Sequence, residues 1–146
     1  MSNTGLRVFD ETLHVTNAWL KGVMKATESD EREDAFTALR AVLQALRDRL
    51  TVDDAVHLGA QLPMLVRGFY YEGWHPAGRP YRERSKEQFL DHVEERMRGR
   101  EHLDAEQVTR AVFRLLSERV SAGEIAQVKH ALPKPVRELW PEEPAV

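Results

Sequence analysis

Shifting the 146-residue sequence by 70 positions aligns Ala35–Tyr70 with Ala105–Trp140 without a gap, and ten of the 36 aligned pairs are identical. The identities include Arg40 with Arg110, Ala41 with Ala111, Val42 with Val112, Leu46 with Leu116 and Arg49 with Arg119. Leu62, Pro63, Val66 and Arg67 recur as Leu132, Pro133, Val136 and Arg137, and Trp19 aligns with Phe89 further upstream. The matches fall on apolar positions, helix starts and a helix-breaking proline together, so the same local structure is expected twice. A single unit of about 60 residues has a marginal core, so the two units should fold cooperatively. They would pack about a pseudo-twofold axis or stack as a short solenoid.

The local pattern of each unit is helical. Apolar residues recur in steps of three and four through most of the chain, and runs alternating with period two are hard to find. A first helix carries Phe9, Leu13, Thr16, Leu20 and Val23 on one stripe, widened by Trp19 and Met24, with Asp10 expected as its N-cap. After a charged, turn-rich stretch from Thr27 to Asp34, a second helix places Phe36, Leu39, Val42, Leu43, Leu46 and Leu50 on one face. Thr51 and Asp54 have capping-box spacing ahead of Ala55, Leu58 and Leu62, and Pro63 suits the first turn of a fourth helix, Met64 to Tyr71. Gly73, Pro76, Gly78 and Pro80 then break regular structure. Beyond them Ser85 with Gln88, Asp104, and Ser121 with Glu124 each read as a helix start, before Phe89–Met97, Val108–Leu116 and Ile125–Leu132. Pro133 opens a last short helix ending near Trp140, and the tail from Pro141 to Val146 is expected to fray. The expected architecture is all-α: one domain over 1–146, with repeat 1 at about 10–71, a Gly/Pro linker at about 72–84 and repeat 2 at about 85–140.

Composition narrows the function classes. Twenty-one Lys and Arg against 24 Asp and Glu leave a net charge of -3, which removes the usual electrostatic reason to expect a dedicated nucleic-acid or anionic-membrane binder. The absence of cysteine excludes disulfides, thiolate nucleophiles and thiolate metal sites. Met1 to Arg7 is polar rather than signal-like and no apolar run approaches a membrane span, so a soluble cytoplasmic protein is expected.

Several segments resemble a known bacterial family. Leu13 to Met24, Ala38 to Leu50, the run Gly59-Ala60-Gln61-Leu62-Pro63 and the run Tyr70-Tyr71-Glu72-Gly73-Trp74 are similar to the domain of unknown function family numbered 2267. The resemblance extends from about Phe9 to Trp140. It implies a small bacterial helical protein without an assigned activity, and it carries over no catalytic or binding residues.

No catalytic signature is visible. Gly-rich phosphate loops, His-Glu-x-x-His and Gly-x-Ser-x-Gly are all missing. Glu11 with His14 has the spacing used by di-iron bundles, but the equivalent positions 81 and 84 are Tyr and Arg, so no metal or other cofactor is expected. Arg79, Arg82, Arg84 and Lys86 around Tyr81 could bind phosphate or RNA, although such a patch on an acidic protein more often marks a solvated loop. The repeated arginines invite an anion-site reading. The simpler account has them pairing with Asp48, Asp54, Glu118 or Glu124 and bonding helix C-terminal carbonyls.

The most distinctive stretch is aromatic: Phe69, Tyr70, Tyr71, Trp74 and His75. With Met64 and Leu65 it forms the candidate interface or pocket, against the alternative that Trp74 only pins the linker across the seam between repeats. Repeat 1 also carries Phe36, Met64 and Leu65 where repeat 2 has Glu106, Lys134 and Pro135, and Gly22, Gly59 and Gly68 where repeat 2 has His92, Lys129 and Glu138. Surplus apolar side chains need cover, and helix glycines suit tightly crossing helices, either inside the monomer or between subunits. The first expectation is therefore a non-enzymatic interaction module or adaptor, with a protein partner or self-association. The second is a small-molecule binder with a pocket between repeat 1 and the aromatic linker.

Overall fold

The structure, a computed structural model, describes residues 3–142. Among these residues there are eight helices and no strand: α1 (Arg7–Thr27), α2 (Arg32–Arg49), α3 (Val52–Ala60), α4 (Met64–Tyr71), α5 (Lys86–Glu95), α6 (Ala105–Arg119), α7 (Ala122–Ala131) and α8 (Lys134–Arg137). Of the tail expected to fray, residues 143–146 lie outside the described residues, and Pro141 and Glu142 have no regular structure.

The helix starts follow local chemistry. Thr51, Asp104 and Ser121 each accept the backbone N–H three residues on, and Ser85 with Gln88 forms a complete capping box. Pro63 and Pro133 both sit immediately before a helix, in extended conformation. Arg67 and Arg137 each reach back five residues to the carbonyl of Leu62 or Leu132, at 3.1 and 3.0 Å.

Two expected caps are corrected. Asp10 lies inside the first turn of α1 rather than at its start, because its carboxylate accepts the amide and hydroxyl of Thr4 and so ties back the preceding chain. The Ser121 box is only half formed. Glu124 is turned inward and buried, and Gln61 at the end of α3 accepts the Ser121 N–H instead while donating to its hydroxyl.

Helix α2 lies at the centre. It packs against α1, α4, α5 and α6, while α1 also crosses α6, and α3 faces α7. Its two buried faces have different side chains: Leu39, Val42, Leu43 and Leu46 on one, and the small Ala38, Ala41 and Ala45 on the other, where neighbouring helices can approach closely. Buried side chains from all eight helices join one apolar cluster. Leu46 and Leu116 are both fully buried in it.

The glycines behave differently from one another. A Cβ on Gly22 would meet Leu115 Cδ1 at 2.7 Å, so the residue marks the close crossing of α1 and α6. A Cβ on Gly59 would strike Tyr71, with its Cζ at 2.6 Å, because the phenol lies across α3. Gly68 faces open space, so it marks no tight crossing within the monomer.

The apolar stripe of α1 divides partway along. Thr16, Trp19, Leu20 and Val23 are buried, whereas Phe9 is 50% and Leu13 39% exposed. The first two turns run past the end of the core, which corrects the expectation of one continuous buried face.

Candidate functional site

Segment 72–84 is irregular in structure yet firmly held. Asp48, at the C-terminal end of α2, is fully buried, and its carboxylate receives Arg47 Nε at 2.9 Å and Arg96 Nη2 at 2.6 Å, with Arg79 Nε 3.6 Å away. The three guanidinium groups come from α2, the segment itself and the end of α5, so one buried carboxylate joins all three. Such an anion is tolerable in the interior only because its charge is matched and its oxygens are bonded. Arg47, also buried, donates from Nη1 to the carbonyls of Tyr70 and Glu72. The Asp48 carbonyl accepts the Tyr81 N–H, Arg49 donates to the Glu83 carbonyl, and Gln44 donates to the Phe69 carbonyl.

Side chains complete the attachment. The Tyr81 ring stacks on His92 at 4.5 Å under the guanidinium of Arg79, and His92 bonds Glu83 at 2.6 Å. Of the basic stretch noted in the sequence, Arg79 is thereby used inside the protein and Lys86 pairs with Glu106 at 3.3 Å, while Arg82 and Arg84 are exposed. A second polar junction holds the α5–α6 turn. Asp34 is buried, and His102 at 2.8 Å together with Arg100 engages its carboxylate. The His102 hydrogen bond holds the Asp34 carboxyl below its ordinary pKa.

The seven residues grouped from the sequence separate into three environments. Phe69 and Tyr70 belong to the core and offer no outer surface. Phe69 meets Phe36 edge-on at 5.2 Å, and the Tyr70 hydroxyl donates to the Ala55 carbonyl at 2.6 Å. Burial pushes the Tyr70 phenol pKa well up. Tyr71 and Trp74 are half-buried and stacked at 5.5 Å, which fixes the start of the linker on α4. Met64 and Leu65 are exposed at 51% and 42%, and the linker does not cover them. His75 is exposed.

Met64 and Leu65 have neighbours of their own kind. The Leu65 N–H donates to the Thr12 hydroxyl at 3.2 Å, so α4 begins against the protruding turns of α1. Phe9 and Leu13 flank Thr12 there. Four large apolar side chains, Phe9, Leu13, Met64 and Leu65, thus stand exposed on two adjoining helices.

A family model matches residues 16–139, from the first buried turn of α1 to the turn after α8. This chain belongs to the family of uncharacterized conserved proteins DUF2267. No curated protein matches it. In this DUF2267 protein the match takes in the Asp48 junction, the aromatic residues and α4, while Phe9 and Leu13 precede it. Among the described residues no group of three His, Asp or Glu is placed to hold a metal ion, and Glu11 is ion-paired with Arg7 instead. No described helix is long and apolar enough to cross a membrane.

Sequence reasoning missed two features of this region. Asp48 was read as a partner of the repeated arginines and Arg47 was not singled out, but the alanine stripe of α2 was a signal that this helix is covered on more than one side. The exposure of Phe9 and Leu13 left no local trace, since periodicity reports which face is apolar and not whether a neighbour reaches it.

Proposed function

We propose that this DUF2267 protein is a non-catalytic interaction module, built as a tandem repeat within one domain, that self-associates through the apolar face of α1 and α4. The carrying observation is the exposed set Phe9, Leu13, Met64 and Leu65 on two helices joined at Thr12. A second copy placing its own α1 and α4 on this face would form an isologous contact. Covering each half-exposed side chain contributes roughly 1 kcal/mol or more.

The repeat reading is supported by pairwise reciprocity. The pairs α1 with α6 and α5 with α2 are exchanged by a 70-residue shift, and α2 with α6 and α3 with α7 are each exchanged into themselves. Side chains repeat the pattern: Gln127 donates to Asp54, while the residues related to these by the shift, His57 and Glu124, interact electrostatically across the same helix pair. A pseudo-twofold axis between α3 and α7 accounts for both. The pocket reading has less support, because Tyr70, Tyr71 and Trp74 fill the seam where a ligand would lie.

Light scattering after size exclusion tests the assignment. The wild type is expected at twice the chain mass or more, with Leu13→Asp and Met64→Lys shifting it toward monomer while leaving the helical circular-dichroism spectrum unchanged. A wild type that stays monomeric at the highest concentration reached, with unaltered variants, would refute it.

A further inference from the structure

The groove between α2 and α5 is filled by the linker, Glu72–Arg84. A 70-residue shift carries that groove onto the one between α6 and α1. There a cleft of ≈ 700 Å³ is left open by the described residues, lined by Gly22, Lys25, Arg110, Arg114, Glu118, Arg119 and Pro141 among others. The same positions in the two grooves differ in cover. Asp48 is fully buried and Gln44 and Arg49 half-buried beneath the linker, whereas Glu118, Arg114 and Arg119 are exposed. One side chain that crowds the filled groove is also trimmed, with Ala26 in place of Arg96, while Gly22, in place of His92, lies against Leu115.

The filled groove shows how such a cleft holds chain. Arg49 and Arg47 donate to the linker carbonyls of Glu83 and Glu72, and a helix-end carbonyl takes the Tyr81 N–H. The grip on backbone suits an extended segment. The open groove adds a charge preference. Four cations face one carboxylate, and of these cations only Arg110 has a carboxylate partner, Glu106 at 2.9 Å. Lys25, Arg114 and Arg119 form no side-chain hydrogen bond or ion pair among the described residues.

We propose that the α1–α6 groove docks an extended acidic segment of a partner protein, in the manner in which the α2–α5 groove holds the linker. The assignment rests on the tandem-repeat reading and is independent of the apolar face of α1 and α4.

The probe is a fluorescein-labelled peptide matching Glu72–Arg84 in length, thirteen residues, with Glu at alternate positions and apolar residues between. A second peptide carries Lys at those positions. Fluorescence anisotropy on the full chain should show binding of the Glu peptide that weakens with salt, and none of the Lys peptide. Arg114→Glu and Lys25→Glu should each weaken it by about tenfold or more. Arg7→Glu makes the same change in net charge on an exposed turn away from the groove, and it should leave affinity within roughly twofold. Leu13→Asp should also leave it unchanged, so failure of self-association and failure of docking are read separately.

Three results would overturn the proposal. The first is an affinity indifferent to Arg114→Glu. The second is tighter binding of a single-stranded oligonucleotide than of the Glu peptide. The third is a variant ending at Glu142 that binds the peptide more than about tenfold tighter than the full chain, which would make the chain's own tail the occupant.

Discussion

Replacing Asp48 by Asn keeps the shape of the side chain and removes the charge that three arginines share. The group is fully buried, with Arg47 and Arg96 bonded to it and Arg79 alongside. Breaking a buried charge pair costs about 3 to 5 kcal/mol, because the surviving cation stays in a poorly solvated place. The lower end applies here, since Arg47 keeps the Tyr70 and Glu72 carbonyls and Arg79 and Arg96 can turn toward water. A loss of about 3 kcal/mol at this chain length lowers the melting temperature by about 10 °C. The linker should loosen as well, because Tyr81, Glu83 and Arg79 are organised around the end of α2. Limited trypsin digestion read by mass spectrometry should then cut sooner after Arg82 and Arg84 in the variant. Glu118→Gln, the same substitution 70 residues on, alters an exposed side chain and should cost under about 0.5 kcal/mol. An Asp48→Asn protein that melts within about 2 °C of wild type and resists trypsin equally would show that the buried carboxylate does not hold the linker.

Leu46→Ala and Leu116→Ala should each cost about 2 to 5 kcal/mol in urea unfolding, since both side chains are fully enclosed and their loss leaves a cavity. Gly68→Ala should stabilise the protein by up to about 1 kcal/mol, because the site is open and helical, whereas Gly59→Ala should destabilise it by displacing Tyr71; differential scanning calorimetry separates the two signs. Burial raises the Glu124 carboxyl pKa above its ordinary value, and its Oε2 has no hydrogen-bond partner. The folded state therefore favours the protonated acid, and stability falls as pH rises through the ordinary value of 4.5 to the raised one. Glu124→Gln should be more stable than wild type at neutral pH, with the difference shrinking toward pH 4, as melting curves across that range would show.

Helix positions were legible in the sequence because they are set by neighbours in the chain. Thr51, Ser85, Asp104 and Ser121 stop or start helices through bonds spanning three residues, and Pro63 and Pro133 act through their own missing N–H. The Ser121 box failed on a tertiary fact. Gln61, sixty residues away, arrived at the amide that Glu124 was expected to hold. Asp10 failed more locally, because the preceding chain folds back onto its carboxylate through Thr4.

The candidate site was legible only as a list of residue types. Tyr70, Tyr71 and Trp74 stood out by composition, yet burial placed the first in the core and the next two in a stack against α4. Met64 and Leu65 were marked as surplus apolar side chains, and their exposure beside Phe9 and Leu13 depends on where α1 leaves the body of the protein.

The sequence by itself determined an all-helical chain, its helix boundaries to within a few residues and the 70-residue correspondence between its halves, because all three are carried by periodicity, capping and self-similarity along the chain. Only the tertiary structure decided which copy of each shared position is covered. Asp48 and Glu118 are both carboxylates and are related by the 70-residue shift in sequence. The linker closes over Asp48 and leaves Glu118 exposed, since burial depends on where a distant stretch of chain comes to lie and not on the residue's local sequence.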